Sequence, residues 1–229
     1  MASSPERPFV RTRSGRALSL SNPKASEVHV DDIAGGLAKL CRFAGQTVAH
    51  YSVAQHSVLV AQITTRAAEN DQFWDYRKSR VIGLHALLHD SPEAYLGDVT
   101  WPVKHMIRGV ERRNGSMVDS LLLIDTAIHK AIYEYFGLEW PIPLAFTALI
   151  KNADYVALAT ECRDVLTPGP DLTMNLRIPL PEPESKKIEP LRWELAERQF
   201  MDAIAALTTA RDAPEPAYVG AGRLALADL

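Results

Sequence analysis

The sequence predicts an all-α helical bundle preceded by one small β-hairpin. Three observations carry this reading. Apolar residues recur at three- and four-residue spacing through most of the 229 residues. A strand-like hairpin signal occurs once, near the N-terminus. No internal repeat and no strand–helix alternation follows it.

The elements read in order as follows. Phe9-Val10-Arg11-Thr12-Arg13 and Ala17-Leu18-Ser19-Leu20 flank the turn signal Ser14-Gly15, and Asn22-Pro23 closes the hairpin. Helical periodicity starts near Val30, where Asp31 and Asp32 suit a helix N-terminus. A second helix spans about 52 to 68 and carries His56 on its first turns. A third spans about 79 to 96, which would place His85, His89 and Glu93 at i, i+4 and i+8 on one stripe. Pro102 opens a short fourth helix reaching about residue 107. Residues 117–136 form a long amphipathic helix stopped by Gly137, and 144–166 form another, which carries Asp154. Six of the fifteen prolines fall within 167–190, an expected extended loop. A last helix covers 191–207, and the Ala/Pro/Gly-rich remainder reads as a mobile tail. The domain scheme is therefore a hairpin arm over 1–27, one helical domain over 28–207 and a tail over 208–229.

Composition narrows the function classes. Hydrophobic residues make up 47% and charged residues 23%, ordinary for a globular domain. A net charge of −3 lacks the basic stripe of a duplex nucleic-acid binder, so an anionic substrate must meet a few placed cations. No apolar run approaches membrane-spanning length, and the N-terminus lacks a signal-peptide core. Cys41 and Cys162 lie far apart without zinc-site spacing, so two buried thiols in a reducing compartment, the cytosol, are expected.

The chemistry concentrates on His56, His89, Asp90 and Asp154. Two imidazoles and two carboxylates from separate segments make a ligand set for one divalent metal, with Mn, Co, Zn, Fe and Ni all compatible. Open coordination positions would polarise a phosphoryl oxygen and activate water. The run His89-Asp90-Ser91-Pro92-Glu93-Ala94-Tyr95-Leu96-Gly97-Asp98, followed by Trp101-Pro102-Val103-Lys104, adds two acids and a lysine. Glu93 suits proton handling, Asp98 could orient water, assist protonation or bind a substrate hydroxyl, and Lys104 offers a cation to an anionic substrate.

With these residues in place, the chain resembles the HD-domain metal-dependent phosphohydrolases. That family carries a spaced His…His-Asp…Asp pattern, matched here by His56, His89-Asp90 and Asp154. The likeness is greatest to the bacterial 5'-deoxynucleotidase branch and to phage enzymes acting on deoxynucleoside triphosphates. In that branch the His-Asp pair is followed by Glu, Gly-Asp and Pro-Val-Lys, matched by Glu93, Gly97-Asp98 and Pro102-Val103-Lys104. The resemblance runs over about residues 28 to 166. It implies hydrolysis of (deoxy)nucleoside 5'-monophosphates, or alternatively release of triphosphate from a nucleoside triphosphate.

Residues outside the motif also take expected roles, of which those of Arg42 and Phe43 are implied by the resemblance. Arg42 would bind phosphate, and Phe43, standing where the family has Trp, would lie near the sugar. Gln46 and the segment Tyr51–Gln55 would reach the base, and His85 would face either substrate or core. Glu161 would partner a charged group. A triphosphate would draw further cations from Arg11, Arg108, Arg112 and Arg113. A dinuclear oxygenase would need His105 and His129 as additional ligands, whereas a non-catalytic nucleotide sensor would not need the intact Glu93. Assembly as a homo-oligomer is expected from the relatives.

Overall fold

The computed structural model describes residues 8–170 and 178–212. It is mostly helical, with one two-stranded antiparallel hairpin at the N-terminal side. Strands β1 (Phe9–Arg11) and β2 (Ala17–Ser19) pair with Val10 opposite Leu18. Gly15, at φ 81°, takes the left-handed turn position that a side chain would strain. The Asp32 carboxylate fastens the hairpin to the bundle by accepting the Ser14 N–H and hydroxyl, both at 2.7 Å.

Eight helices follow among the described residues: α1 (Val30–Lys39), α2 (Val53–Asn70), α3 (Tyr76–Leu87), α4 (Glu93–Leu96), α5 (Trp101–Arg113), α6 (Ser120–Tyr135), α7 (Leu144–Asp164) and α8 (Trp193–Asp212). Side-chain caps start three of them. Ser52, Asp75 and Asp119 accept the N–H of Gln55, Lys78 and Leu122 respectively, each satisfying a donor the helix leaves open. Helix α2 is the centre of the bundle and packs on α3, α7 and α8. Its buried set includes Val53, Ala54, Val58, Val60, Ala61 and Ile63. Gly83 lets α3 approach α2 closely, because a Cβ there would fall 2.2 Å from Thr65 Oγ1.

Three boundaries differ from the periodicity. The expected helix over 79–96 is broken: α3 ends at Leu87, residues 88–92 form tight turns, and Glu93 opens the separate α4. Pro92 is the cause, since it has no N–H and its ring would clash with the carbonyl four residues back, that of Leu88. That carbonyl instead accepts the Ser91 N–H at 3.1 Å and the Ser91 hydroxyl at 2.6 Å. Helix α5 extends to Arg113, beyond the expected end near 107. Helix α8 includes 208–212, part of the expected tail; the rest of that expected tail, 213–229, lies outside the described residues, as do 1–7 and 171–177. Cys41 and Cys162 are half-buried thiols, not fully buried ones.

His85 belongs to the aromatic core. It is 1% exposed, with its ring 5.0 Å from Tyr133 and 5.5 Å from Phe146, and neither ring nitrogen has a partner. Burial, helped by nearby Lys78, pushes its pKa down to about 4. The folded state therefore binds this proton more weakly than the unfolded chain, whose His titrates near 6.5. The stabilisation is complete above about pH 6.5 and is lost as the pH falls toward 4. Thermal melts at pH 7.5 and 5.0 are expected to show that His85→Phe removes about 2 kcal/mol of the wild-type acid sensitivity. Parallel melts of the two proteins would contradict this placement.

Candidate metal centre and active-site cleft

Three elements bring the sequence-predicted ligands together. His56 sits on the first turn of α2, His89 and Asp90 in the turns after α3, and Asp154 in the middle of α7. The ligand atoms of His56, His89 and Asp90 lie within 4.8 Å of one another, a group that can hold a metal ion. Asp90 Oδ2 is 3.5 Å from His56 Nε2 and 3.2 Å from His89 Nε2. Asp154 Oδ1 is 3.5 Å from His56 Nε2.

The ring nitrogens test whether a metal fits. The Ala86 carbonyl can only accept, so His89 Nδ1 donates to it, at 2.7 Å. His56 Nδ1 meets Glu161 Oε1 at 2.6 Å, and Arg42 and His56 hold the Glu161 carboxyl below its usual range against the effect of burial. An ionised Glu161 makes His56 Nδ1 the donor as well. In the neutral form that a metal requires, each ring would turn a bare Nε2 toward Asp90, and both Nε2 atoms are buried without a hydrogen-bond partner. Two orphaned lone pairs beside two carboxylates suit a divalent cation, and a second hydrogen bond at Nδ1 is how metal-binding histidines are usually oriented. The same carboxylates that would attract a cation attract a proton, which metal binding would have to displace. Burial and Arg42 oppose a proton on His56, yet Glu161 and Asp154 raise its pKa to about 9. Asp90 stays ionised against burial because of His89 and His56.

The acids and bases of the cleft surround this centre. Glu93, only 8% exposed, has one carboxyl oxygen 3.6 Å from Lys104 Nζ and the other without a partner. Burial and the charges of Asp90 and Asp98 push its pKa up to about 9. Asp98 is also raised, by burial and by Asp90. A cleft of about 430 Å³ joins Arg42, Phe43, Asp90, Glu93, Asp98, Lys104 and Asp154. Arg42 reaches it from a turn with an unusual backbone: Phe43 and Ala44 have φ of 54° and 52°, and Gly45 has 79°. Such left-handed residues persist where the surroundings over-determine them. Here the loop is pinned at its base, with the Arg42 N–H donating to Tyr51 O at 2.9 Å and the Val53 N–H to Leu40 O at 3.0 Å.

A family comparison covers more than half of the chain: residues 37–169 match the family described as YfbR-like, 5'-deoxynucleotidase YfbR-like. The chain belongs to the YfbR-like 5'-deoxynucleotidase family. An uncharacterized protein of Rhodobacter capsulatus is 34% identical over 163 residues, covering 70% of this chain and 74% of its own length. The uncharacterized protein YfdR of Escherichia coli is 31% identical over 157 residues, covering 69% and 72%. Membership of this family implies a hydrolase of the HD superfamily. No helix among the described residues is long and apolar enough to cross a membrane.

In this YfbR-like chain some expected site residues do not reach the cleft. His85 is in the core, and Gln46 is exposed outside the cleft lining. Arg108 pairs with Asp119 and lines a smaller adjoining hollow of about 140 Å³ together with His89, Glu93 and Asp125. Arg11 borders a separate cleft with Arg13, Lys39 and Trp193, and Arg112 and Arg113 line neither. His105 stacks on Trp101, and His129 Nε2 donates to Leu88 O at 3.1 Å. Neither joins the metal-capable group, so no second-metal set forms among the described residues. Sequence reasoning missed Lys151 and Tyr155, which line the cleft, and gave Trp101 no role there. Lys151 Nζ lies 3.1 Å from Asp154 Oδ2, and the i, i+3 spacing on one helix was the available signal.

Proposed function

We propose that this chain is a metal-dependent phosphohydrolase of the cytoplasm that converts (deoxy)nucleoside 5'-monophosphates to nucleoside and phosphate. The observation that carries the reading is the pair of orphaned Nε2 atoms beside Asp90, in a cleft that also holds a buried carboxyl and three cationic side chains. His56, His89, Asp90 and Asp154 would hold one divalent metal. When bound, the metal supplies Lewis-acid stabilisation of the phosphoryl oxygens and lowers the pKa of water.

The remaining steps belong to side chains. Arg42 and Lys104, with Lys151 at the rim, neutralise the phosphate oxygens. Glu93 moves the proton, either from the attacking water or to the leaving sugar oxygen, and its high pKa suits a group that must hold a proton near neutral pH. Asp98 orients water or a sugar hydroxyl. Phe43, Trp101 and Tyr155 provide the apolar wall for sugar and base. Monophosphates are favoured over triphosphates because Arg11, Arg112 and Arg113 stand away from the cleft and Arg108 lines only the adjoining hollow.

Product analysis tests the reading. Nucleoside mono-, di- and triphosphates are incubated with protein loaded with Mn, Co or Zn, and the released phosphate and triphosphate are separated. Phosphate from monophosphates is expected; triphosphate as the main product would replace the proposal with a triphosphohydrolase.

The chain is also proposed to work as a homo-oligomer. No residue of α5 is buried. Val103, Met106, Ile107 and Val110, each 36–57% exposed, follow helical spacing and form one apolar stripe on α5. Lys104 and Arg108 fall on another side of the same helix, toward the catalytic hollow. Pairing the stripe with its copy would bury it in a self-complementary contact. Light scattering is expected to show a dimer or larger for the wild type and a monomer for Met106→Glu; a wild-type monomer would reject the assembly.

A further inference from the structure

Glu161 is fully buried on α7, two turns after Asp154. Its two carboxyl oxygens serve different partners. Oε1 accepts from His56 Nδ1 at 2.6 Å. Oε2 accepts from Arg42 Nε at 3.2 Å and Nη2 at 3.0 Å. One partner is a metal ligand and the other a phosphate cation. They come from α2 and from the strained turn before it, so no local backbone geometry sets their separation. The environment keeps the carboxylate from exchanging partners with water. The residue is 0% exposed, and the fully buried Tyr51 neighbours its carboxylate.

We propose that Glu161 is a shared positioning residue, whose single carboxylate sets the tautomer of His56 for metal and the direction of Arg42 for phosphate. The phosphate half of this inference rests on the nucleotide reading above. The metal half rests on the His56 contact alone. The carboxylate is needed as a carboxylate because both of its neighbours donate. A neutral amide of the same shape offers one acceptor and one donor. With its oxygen toward His56, its NH₂ faces the Arg42 donors. With its oxygen toward Arg42, its NH₂ faces His56 Nδ1, which must then accept, and the ring proton moves to Nε2, where a metal would bind.

Glu161→Gln therefore cannot satisfy both partners. Two equilibrium titrations read the result without turnover: Mn²⁺ into metal-stripped full-length protein, and inorganic phosphate into Mn²⁺-loaded protein. At least one of the two dissociation constants is expected to rise about 10- to 100-fold. A merely structural glutamate would shift the melting temperature and leave both constants within twofold, and that result would overturn the proposal. Glu161→Asp keeps the buried charge but shortens its reach by one methylene. It is the second variant if the amide does not fold, and the same criterion applies. If the product analysis finds no nucleotide hydrolysis, Mn²⁺ titration of Glu161→Ala, which offers His56 Nδ1 no acceptor in any orientation, judges the His56 half by itself, and an unchanged constant there overturns it.

Discussion

Glu93→Gln is expected to lower kcat by about 10²- to 10⁴-fold, the usual contribution of a positioned acid or base. The replacement keeps shape and hydrogen-bonding reach but cannot carry the proton. Metal affinity should stay within a few-fold of wild type, because Glu93 is outside the group of His56, His89 and Asp90. The substrate KM should also change little, since the proposed phosphate contacts are those of Arg42, Lys104 and Lys151. Three structural facts support so large an effect on kcat alone. The carboxyl is 8% exposed, one of its oxygens is unpartnered, and burial with Asp90 and Asp98 raises its pKa to about 9. A bound cation would draw that value downward, toward the working range of a base. Steady-state kinetics at saturating metal, with calorimetric Mn²⁺ titration of the same preparation, check the split. Unchanged kcat would remove Glu93 from proton transfer, and lost metal would make it a ligand.

His89→Ala is expected to remove metal and activity together. His89 Nδ1 is committed to the Ala86 carbonyl, so the ring has one free nitrogen, aimed at Asp90. Truncation deletes that donor and leaves Asp90 without the imidazole that, with His56, keeps it ionised. Losing the several kcal/mol that a metal contributes to a phosphoryl transition state corresponds to about 10³-fold or more in kcat/KM. The fold should survive, because His89 lies in a turn at the cleft and not in the core cluster. Elemental analysis of purified protein checks the metal, and a far-UV spectrum checks the fold. Retained stoichiometric metal would show that the ligand set is wrong.

Much of the helical architecture was legible because burial of apolar residues on one helical face leaves a 3.6-residue period in the chain. The starts of α1, α2 and α7 and the single hairpin follow from such patterns, with the acids opening α1, the Ser52 cap of α2 and the prolines before α7. The break after Leu87 did not, because apolar periodicity continues through 88–96 while Pro92 disrupts the backbone. The consequence is functional. On one helix His85, His89 and Glu93 would share a stripe. In the folded chain His85 turns into the aromatic core, while His89 and Glu93 reach the cleft from a turn and a new helix. Lys151 and Tyr155 were missed because a cation and an aromatic on a long helix look like ordinary surface residues until Asp154 beside them is placed in the cleft.

By itself the sequence determined the fold class, the HD pattern of His56, His89-Asp90 and Asp154, and the downstream Glu93, Asp98 and Lys104. These are local or spaced identities, and identity along a chain survives folding unchanged. Only the tertiary structure decided which candidates meet. It excluded His85 and Gln46 from the cleft lining, brought in Lys151, and joined His56 to Arg42 through one buried carboxylate 105 residues from the first and 119 from the second. Contacts across such separations depend on how α2 and α7 pack, and packing is a property of complementary surfaces that no single segment encodes.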